Sequence, residues 1–229
     1  GGRSSGRETC ARVAAGSVAQ QVLEAKLGSD FSIKAYTLEA AGISCKSIDY
    51  SVIEENALRA PDLEAAALME EKIAEIRRAG DSAGAIIECV IDGVPAGLGE
   101  PVFDKIDAEL GKAMLSIGAV KGIEFGEGFN SARMTGSVWN DKMRVSEDGK
   151  ITFETNHAGG ILGGISNGNQ IVFRLAVKPV PSIFIAQKTV NKAGENIDLE
   201  IKGRHDVCLA PRIVPVVEAM AAITILDLL

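Results

Sequence analysis

Four parts of the chain carry helix signals: capping residues bound the first, apolar residues recur at helical spacing in the second and third, and the fourth is apolar almost all round. The clearest stripe lies in the third part and consists of Phe103, Ile106, Leu110, Met114 and Ile117. Gly28 and Gly80 follow the first two parts, at positions where a glycine commonly ends a helix. The pattern therefore predicts helices over residues 5–26, 61–80, 102–117 and from about 211 to the end.

Other segments alternate between apolar and polar residues, as in a strand with one buried face. Residues 171–177 alternate most regularly, and weaker patterns predict strands over residues 31–35, 85–91 and 197–201 and a short strand within residues 43–52. Helices and strands alternate irregularly, and the strands have hairpin-like spacing. This order favours an α+β layered fold over a doubly wound parallel sheet. Since no segment has the composition of a linker, residues 1–229 are predicted to form a single domain.

Composition and charge narrow the classes of function. The 229 residues include 24 basic and 31 acidic ones, so a net charge of −7 makes nucleic acid and anionic membranes unexpected partners. No apolar run reaches the ~18 uncharged residues that a membrane-spanning helix needs. Aromatic residues make up only 4%, whereas the 25 glycines predict tight turns or a close approach of the backbone to a ligand.

The four cysteines, at positions 10, 45, 89 and 208, form no CxxC pair, and only two histidines could join them in a metal site. Neither a metal cluster nor a disulfide framework is therefore expected, and this composition predicts the reducing cytoplasm as the compartment. The chain begins at Gly1 without Met or a signal sequence and ends on an apolar run. These ends predict that it is part of a larger protein.

Three polar clusters could carry chemistry. The first, Arg3-Ser4-Ser5-Gly6-Arg7, places two guanidinium groups at a helix N-terminus, which suits an anion but also an ordinary cap. The second, residues 156–168, is rich in glycine and either lets the backbone approach a flat ligand or forms a hairpin loop. The third, Arg204-His205-Asp206, is predicted at a strand end, where the carboxylate is either part of an ion pair or a proton acceptor.

These clusters belong to a longer series of motifs that resembles the chorismate synthase family. Residues 3–16 resemble the central signature of that family, and residues 203–219 resemble its C-terminal signature. Further matching segments follow in the family's order at residues 93–99, 103–105, 116–126, 156–168 and 178–182. The resemblance covers essentially the whole chain.

The resemblance implies a lyase of the shikimate pathway, which leads to the aromatic amino acids. Such an enzyme converts 5-enolpyruvylshikimate 3-phosphate to chorismate and phosphate by a 1,4-elimination that uses reduced FMN without net redox change. A reduced flavin suits this reaction because it can lend electron density to the breaking C–O bond and take it back. The resemblance also implies a β-α-β sandwich, with helices packed between antiparallel sheets, and a homotetramer.

Individual residues receive roles from the same resemblance. Asp206 matches the aspartate that works with the flavin in removing the substrate's C6 proton, and Arg7 and Arg204 are expected to bind the substrate's anionic groups. Gly118-Ala119 stands where the family usually has Asn-Ala, so a backbone contact is expected there. The implied flavin-binding residues are Arg3, Ser4, Ser5, Gly118, Ala119, Gly163, Lys178, Pro179, Val180, Pro181, Ser182 and Arg204.

The chain departs from the family's pattern at the general acids. The family's Gly-x-Ser-His-Gly motif and the histidine of its Pro-Gly-His-Ala-Asp segment have no counterpart here. His157 and His205 do not fit those motifs and are interpreted as a loop residue and as a residue that orients a strand end. Two hypotheses remain: the chain is the C-terminal part of the enzyme, or it is a noncatalytic flavin- or anion-binding fragment that forms oligomers.

Overall fold

The computed structural model describes residues 2–229. The α-helices within these residues are α1 Thr9–Leu27, α2 Leu63–Arg78, α3 Ile106–Leu115, α4 Gly136–Trp139 and α5 Ala210–Leu228. The strands are β1 Ser32–Ala40, β2 Ile43–Ser44, β3 Ala85–Asp92, β4 Val120–Phe125, β5 Met143–Val145, β6 Ile151–Phe153, β7 Ile161–Leu162, β8 Ile165–Ser166, β9 Ile171–Val177, β10 Gln187–Val190 and β11 Asn196–Leu199. Short 3-10 helices lie at Gly2–Ser4, Gly6–Glu8, Tyr50–Glu55 and Gly128–Arg133.

The largest sheet in the described residues has five strands in the order β2-β1-β3-β9-β4. β1 and β2 are antiparallel, with Ala40 opposite Ile43. Three further antiparallel hairpins, β5–β6, β7–β8 and β10–β11, lie outside this sheet. The mixture of helices with antiparallel strands confirms the predicted α+β class.

The chain divides into two compact units. The first unit comprises the residues up to 35, residues 88–175 and residues 214–229. Helices α1 and α5 make a close contact in this unit at Gly16 and Ala219. Its largest fully buried side chains are Leu23, Ile91, Ile106, Leu110, Met114, Ile171, Phe173, Leu175 and Ile225.

The second unit comprises residues 36–87 and 176–213. Its helix α2 begins after Asp62, whose side chain accepts a hydrogen bond from the Ala65 amide at 3.0 Å and so caps the helix. The buried face of α2 carries Ala65, Ala66, Met69 and Ile73. Tyr36, Met69 and Ile87 are the largest fully buried side chains of this unit. That residues 1–229 form a single domain stays a prediction.

Several predicted elements are confirmed, and their ends differ by a few residues. Helix α2, strand β9 and helix α5 lie where the periodicity predicts them. α1 begins at Thr9 rather than at residue 5, because residues 6–8 form a 3-10 turn before it. The strand predicted over residues 197–201 ends at Leu199.

Helix α3 is shorter than predicted, and β2 occupies only the start of its predicted range. α3 begins at Ile106 rather than at residue 102, and Phe103, which the helical stripe included, is 85% exposed. The short strand predicted within residues 43–52 is β2, and it does not extend further because the side chain of Asp49 accepts the Ser51 amide at 2.9 Å and starts a 3-10 helix.

Across residues 2–229, no helix combines the length and the hydropathy that crossing a lipid bilayer demands.

Candidate functional site

The first predicted cluster lies on two short turns just before α1. Ser5 caps the second turn, with its Oγ 3.4 Å from the Arg7 amide, and the Thr9 hydroxyl donates to the Gly6 carbonyl at 2.6 Å. Arg3 and Arg7 are exposed, and neither forms an ion pair within the described residues. Ser5 therefore forms a cap, and the guanidinium groups of Arg3 and Arg7 beside it are still available to bind an anion.

Arg12 links the N-terminal segment to Ser116, which lies just before the Gly118-Ala119 turn. The Arg12 Nε atom is 2.9 Å from Glu8 Oε2, and its Nη1 donates to Ser116 Oγ at 2.6 Å. Ser116 directly follows α3, and three residues later Ala119 has φ 76°, a left-handed conformation that is strained for alanine. In the first unit, Arg12 therefore contacts Glu8 and Ser116, which lie close in sequence to two of the predicted flavin-binding segments, and the sequence interpretation did not single it out.

Gly163 lies in the tight turn between β7 and β8. Gly163 and Gly164 have φ values of 63° and 85°, as a two-residue type I′ hairpin turn requires. A Cβ on Gly163 would meet no atom within 4 Å. Of the two interpretations of residues 156–168, the hairpin is thus observed at residues 161–166, and the exposed backbone of Gly163 remains accessible to a ligand.

Ser166 holds this hairpin in place. It is 3% exposed, accepts the Leu98 amide on its Oγ at 2.9 Å and donates to the Pro95 carbonyl at 2.6 Å. The amide of Ile106, at the start of α3, donates to the Gly164 carbonyl at 2.9 Å. The glycine-rich segment 93–99 and the hairpin turn are therefore fixed together by a few directional hydrogen bonds.

Asp141 organises the segment that precedes the hairpin. Its side chain is 1% exposed and accepts hydrogen bonds from the Thr155 hydroxyl at 2.6 Å, the His157 amide at 2.7 Å and the Ala158 amide at 3.0 Å. Burial raises the pKa of Asp141, but these hydrogen bonds outweigh burial and leave the pKa below its usual value. Sequence interpretation missed Asp141, since its partners lie 14–17 residues away.

His157 is a loop residue, as predicted. It lies in the turn after β6, with its Nδ1 atom 3.1 Å from the Trp139 carbonyl oxygen and 3.3 Å from Asp141 Oδ1. Its ring stacks on the ring of Trp139, with the centroids 6.3 Å apart. These contacts give the imidazole of His157 a structural role in the loop.

The third cluster lies in the second unit, and its predicted position at a strand end is wrong. β11 ends at Leu199, and residues 200–209 form an irregular loop before α5. The carboxylate of Asp206 pairs with Arg212, on the first turn of α5, at 3.0 Å between Nη2 and Oδ1. An ion pair is thus present, with Arg212 as the partner.

Arg204 and Asp206 line one cavity of about 640 Å³. Arg77 of α2 and Arg212 also line this cavity, so three guanidinium groups face it together with the carboxylates of Glu70 and Asp206. A concentration of arginines in one cavity favours phosphate and carboxylate ligands, because the guanidinium group can donate two parallel hydrogen bonds to them.

His205 lies between Arg204 and Asp206 in the sequence, and its side chain packs against Phe184. Its ring meets the ring of Phe184 edge-on, with the centroids 5.8 Å apart. Its Nε2 atom is buried and has no hydrogen-bond partner among the described residues. The interpretation of His205 as a residue that orients a strand end is wrong, because its backbone is not next to a strand.

The remaining predicted flavin-binding residues, 178–182, directly follow β9 in the second unit. The Ser82 hydroxyl donates to the Val180 carbonyl at 2.7 Å, which fixes the middle of the segment. The Lys178 ammonium group donates to the Pro179 carbonyl at 3.2 Å. Each unit therefore carries part of the predicted set, with residues 3–5, 118, 119 and 163 in the first and residues 178–182 and 204 in the second.

The sequence model of the chorismate synthase family matches residues 1–229. The chain belongs to this family. It is 52% identical over 227 residues to the chorismate synthase of Roseiflexus castenholzii, covering 99% of this chain and 63% of that protein. It is 53% identical over 234 residues to the chorismate synthase of Methanosarcina mazei, covering 99% of this chain and 62% of that protein.

A solved structure supports the same fold. A crystal structure described as that of chorismate synthase superposes with a TM-score of 0.81 at 30% sequence identity, covering 98% of this chain and 63% of the other. This match confirms the predicted fold class of the chain. The chain spans 62–63% of the length of the relatives it matches.

Proposed function

We propose that this chain provides flavin- and substrate-binding parts of a chorismate synthase. The reaction is the conversion of 5-enolpyruvylshikimate 3-phosphate to chorismate and phosphate, a 1,4-elimination of the shikimate pathway that depends on reduced FMN. The observation that carries the proposal is an identity of 52–53% to proteins named chorismate synthase over nearly the whole chain. The cavity around Arg204 and Asp206 supplies matching chemistry.

The substrate is a strong anion, with one phosphate and two carboxylates. Arg204, Arg212 and Arg77 face the cavity of the second unit, and Arg7 lies exposed before α1 in the first. Such local basic groups focus the electrostatic field on an anion even though the whole chain carries a net charge of −7. We assign Arg7 and Arg204 to the substrate's anionic groups.

The residues assigned to FMN have suitable chemistry for that group. Arg3, Ser4 and Ser5 offer a guanidinium group, hydroxyls and turn amides to an anion, and Gly118 and Gly163 leave open space where a side chain would stand. Lys178–Ser182 and Arg204 complete the assignment. When bound, reduced FMN supplies electron density to the breaking C–O bond and takes it back.

Asp206 is the residue that we assign to proton transfer. Arg212 holds its Oδ1 atom at 3.0 Å, so the orientation of the carboxylate is fixed, and Oδ2 is the oxygen assigned to the proton. The carboxylate is one-third exposed at the cavity surface, within reach of a ligand there. A positioned carboxylate of this kind is a usual general base.

The chain alone is proposed to lack turnover. The two family motifs that contain the general-acid histidines have no counterpart in residues 1–229. His157 and His205 are engaged in packing against Trp139 and Phe184. Without a general acid, elimination should be slower by a factor of ~10² to 10⁴.

A homotetramer in the cytoplasm is also part of the proposal. Support for assembly comes from apolar side chains exposed on one face of the β5–β6 hairpin, where Met143, Val145 and Ile151 are 51%, 73% and 67% exposed. Such faces are usually covered by a partner, and identical subunits are the commonest one. The four cysteines are all unpaired, which suits a reducing compartment.

The test compares the chain alone with the chain fused to the part of the Roseiflexus relative that it does not cover. Both are supplied with reduced FMN and 5-enolpyruvylshikimate 3-phosphate, and chorismate and phosphate are measured. We expect equal amounts of both products from the fusion and none from the chain alone. Reactions without reduced flavin are the control. A folded fusion that makes no chorismate would contradict the proposed activity, and turnover by the chain alone would contradict the assigned absence of a general acid.

A further inference from the structure

Arg12 joins three helices of the first unit with one guanidinium group. Its Nε atom pairs with Glu8 at 2.9 Å, its Nη1 donates to Ser116 Oγ at 2.6 Å, and its Nη2 lies 3.4 Å from the Ser116 carbonyl oxygen. Nη1 also lies 3.9 Å from the Met220 sulfur on α5. The side chain is 24% exposed, so these contacts are partly shielded from water.

The contacts of Arg12 are directional at Ser116. The Ser116 hydroxyl donates to the Ala113 carbonyl at 2.6 Å, so it can accept from Arg12 with a defined orientation. Two residues further on, the chain makes the turn in which Ala119 has φ 76° and Val120 donates to the Ile117 carbonyl at 3.2 Å. A left-handed alanine persists only where the surrounding structure holds it. Arg12 anchors the residue from which this turn starts.

The charge of Arg12 is already matched. Glu8 pairs with it, whereas Arg3 and Arg7 form no ion pair within the described residues. A guanidinium group that is engaged on three sides is better suited to hold other groups than to bind a ligand itself. Arg3 and Arg7 are the groups left for the ligand.

We propose that Arg12 is a positioning residue, which fixes the segment 3–7 and the Gly118-Ala119 turn relative to each other. The flavin-binding role of both segments comes from the proposed function, and the inference rests on it in that respect. A ligand that contacts both segments binds tightly only if their separation is set in advance. Arg12 sets it without touching the ligand.

The experiment uses the 229-residue chain and four variants. Arg12→Ala removes all of these contacts, and Ser116→Ala removes only the hydroxyl that Arg12 contacts. Arg12→Lys keeps the charge beside Glu8 but lacks the forked guanidinium group that reaches Ser116 at the same time. The matched control is Arg144→Ala, since Arg144 pairs with Glu154 at the same 2.9 Å but lies on the β5–β6 hairpin. Circular dichroism first establishes the temperature range in which each variant is folded.

The first readout is amide hydrogen exchange. We expect Arg12→Ala and Arg12→Lys to accelerate exchange in residues 2–9 and 116–121 together by about tenfold, the scale of losing one hydrogen bond to a charged group. Ser116→Ala should give a smaller change of the same kind, and Arg144→Ala should leave both segments unchanged. A change in only one segment, or wild-type behaviour of Arg12→Lys, would overturn the proposal.

The second readout is FMN affinity, measured by flavin fluorescence well below the unfolding temperature. We expect the dissociation constant to rise about tenfold or more in Arg12→Ala and to stay unchanged in Arg144→Ala. Binding by the wild-type chain that Arg12→Ala does not weaken would overturn the positioning role. Absence of binding by the wild-type chain would count against the flavin assignment in the proposed function, and hydrogen exchange then decides on Arg12 separately.

Discussion

Gly16 in α1 and Ala219 in α5 lie so close together that a Cβ atom on residue 16 would overlap the Cα and Cβ atoms of Ala219. The two helices approach this closely because neither contributes a larger side chain at the contact. Gly16 is buried, and so are Ala19 of α1 and Ala222 of α5. Helix packing thus explains the glycine at position 16 of α1.

We therefore expect Gly16→Ala to destabilise the protein. Replacing glycine by alanine inside a helix favours folding by ~1 kcal/mol, whereas overpacking costs about 1–3 kcal/mol. Here the overlap is with backbone atoms, which cannot rotate away, so the cost should prevail. Chemical denaturation measures the free energy of unfolding.

Gly111→Ala is the matched control for this prediction. Gly111 also lies inside a helix, α3, but a Cβ atom on it would meet no atom within 4 Å. This variant should be stabilised by up to ~1 kcal/mol. If Gly16→Ala were stabilised equally, the contact between α1 and α5 would not be as close as described.

The sequence predicts best the elements whose pattern is complete within one short stretch. α2 shows its Asp62 cap and its apolar stripe in a single stretch of sequence, and β9 shows strict alternation, so both are found where expected. The first turn predicted for α3 is wrong because Phe103 fits the helical spacing but is exposed. Spacing alone does not reveal that Ile106 is the first residue of the buried face.

The residues that support the candidate site could not be predicted from the sequence. Arg12 contacts Ser116, which is 104 residues away, and Ser166 contacts Pro95, which is 71 residues away. Only the fold brings such partners together, and no local feature of the sequence indicates them. The motifs themselves, such as residues 3–7 and 204–206, could be selected because they form contiguous polar clusters.

The Asp62 carboxylate should make stability depend on pH below 4. Hydrogen bonds from the amides of Ala65, Lys46 and Ser47 lower its pKa to about 2. A lowered folded-state pKa gives stability that is fully present above the unfolded value and is lost as the pH falls toward the folded value. Asp62→Asn should lower the free energy of unfolding at pH 7 by ~1–3 kcal/mol.

The pH dependence distinguishes this effect from a general loss of packing. The difference between the wild type and Asp62→Asn should narrow as the pH falls from 4 to 2, because the wild-type carboxylate becomes increasingly protonated over this range. Asp198→Asn, at an exposed position on β11, is the control and should show no such change. A difference that stays constant down to pH 2 would show that the charge of Asp62 is not what stabilises the cap.

Asp141→Asn should loosen the segment that leads to Gly163. In asparagine, an NH₂ group replaces one of the two carboxylate oxygens, and it would face an N–H or O–H group that now donates to Asp141. The hydrogen bonds from Thr155, His157 and Ala158 therefore cannot all survive. We expect faster hydrogen exchange in residues 155–160 and a loss of ~1–3 kcal/mol in the free energy of unfolding. Asp148→Asn, which changes an exposed carboxylate in the β5–β6 turn, should leave the exchange of residues 155–160 unchanged. Unchanged exchange in Asp141→Asn would mean that the neighbouring backbone holds the loop without it.

Asp206→Asn tests the assigned proton transfer in the fusion with the Roseiflexus segment. Asparagine can still accept a hydrogen bond from Arg212, so the loop and the binding of substrate should be preserved. It cannot take up a proton, so the elimination should slow by ~100-fold or more, as for the loss of a general base. Single-turnover rates with prebound reduced flavin measure the chemical step apart from binding. Arg212→Lys is a useful companion, because it keeps a positive charge beside Asp206 and should retain most of the rate. If Asp206→Asn reacts at the wild-type rate, the carboxylate serves only as the ion-pair partner of Arg212, and the proton must leave through another group.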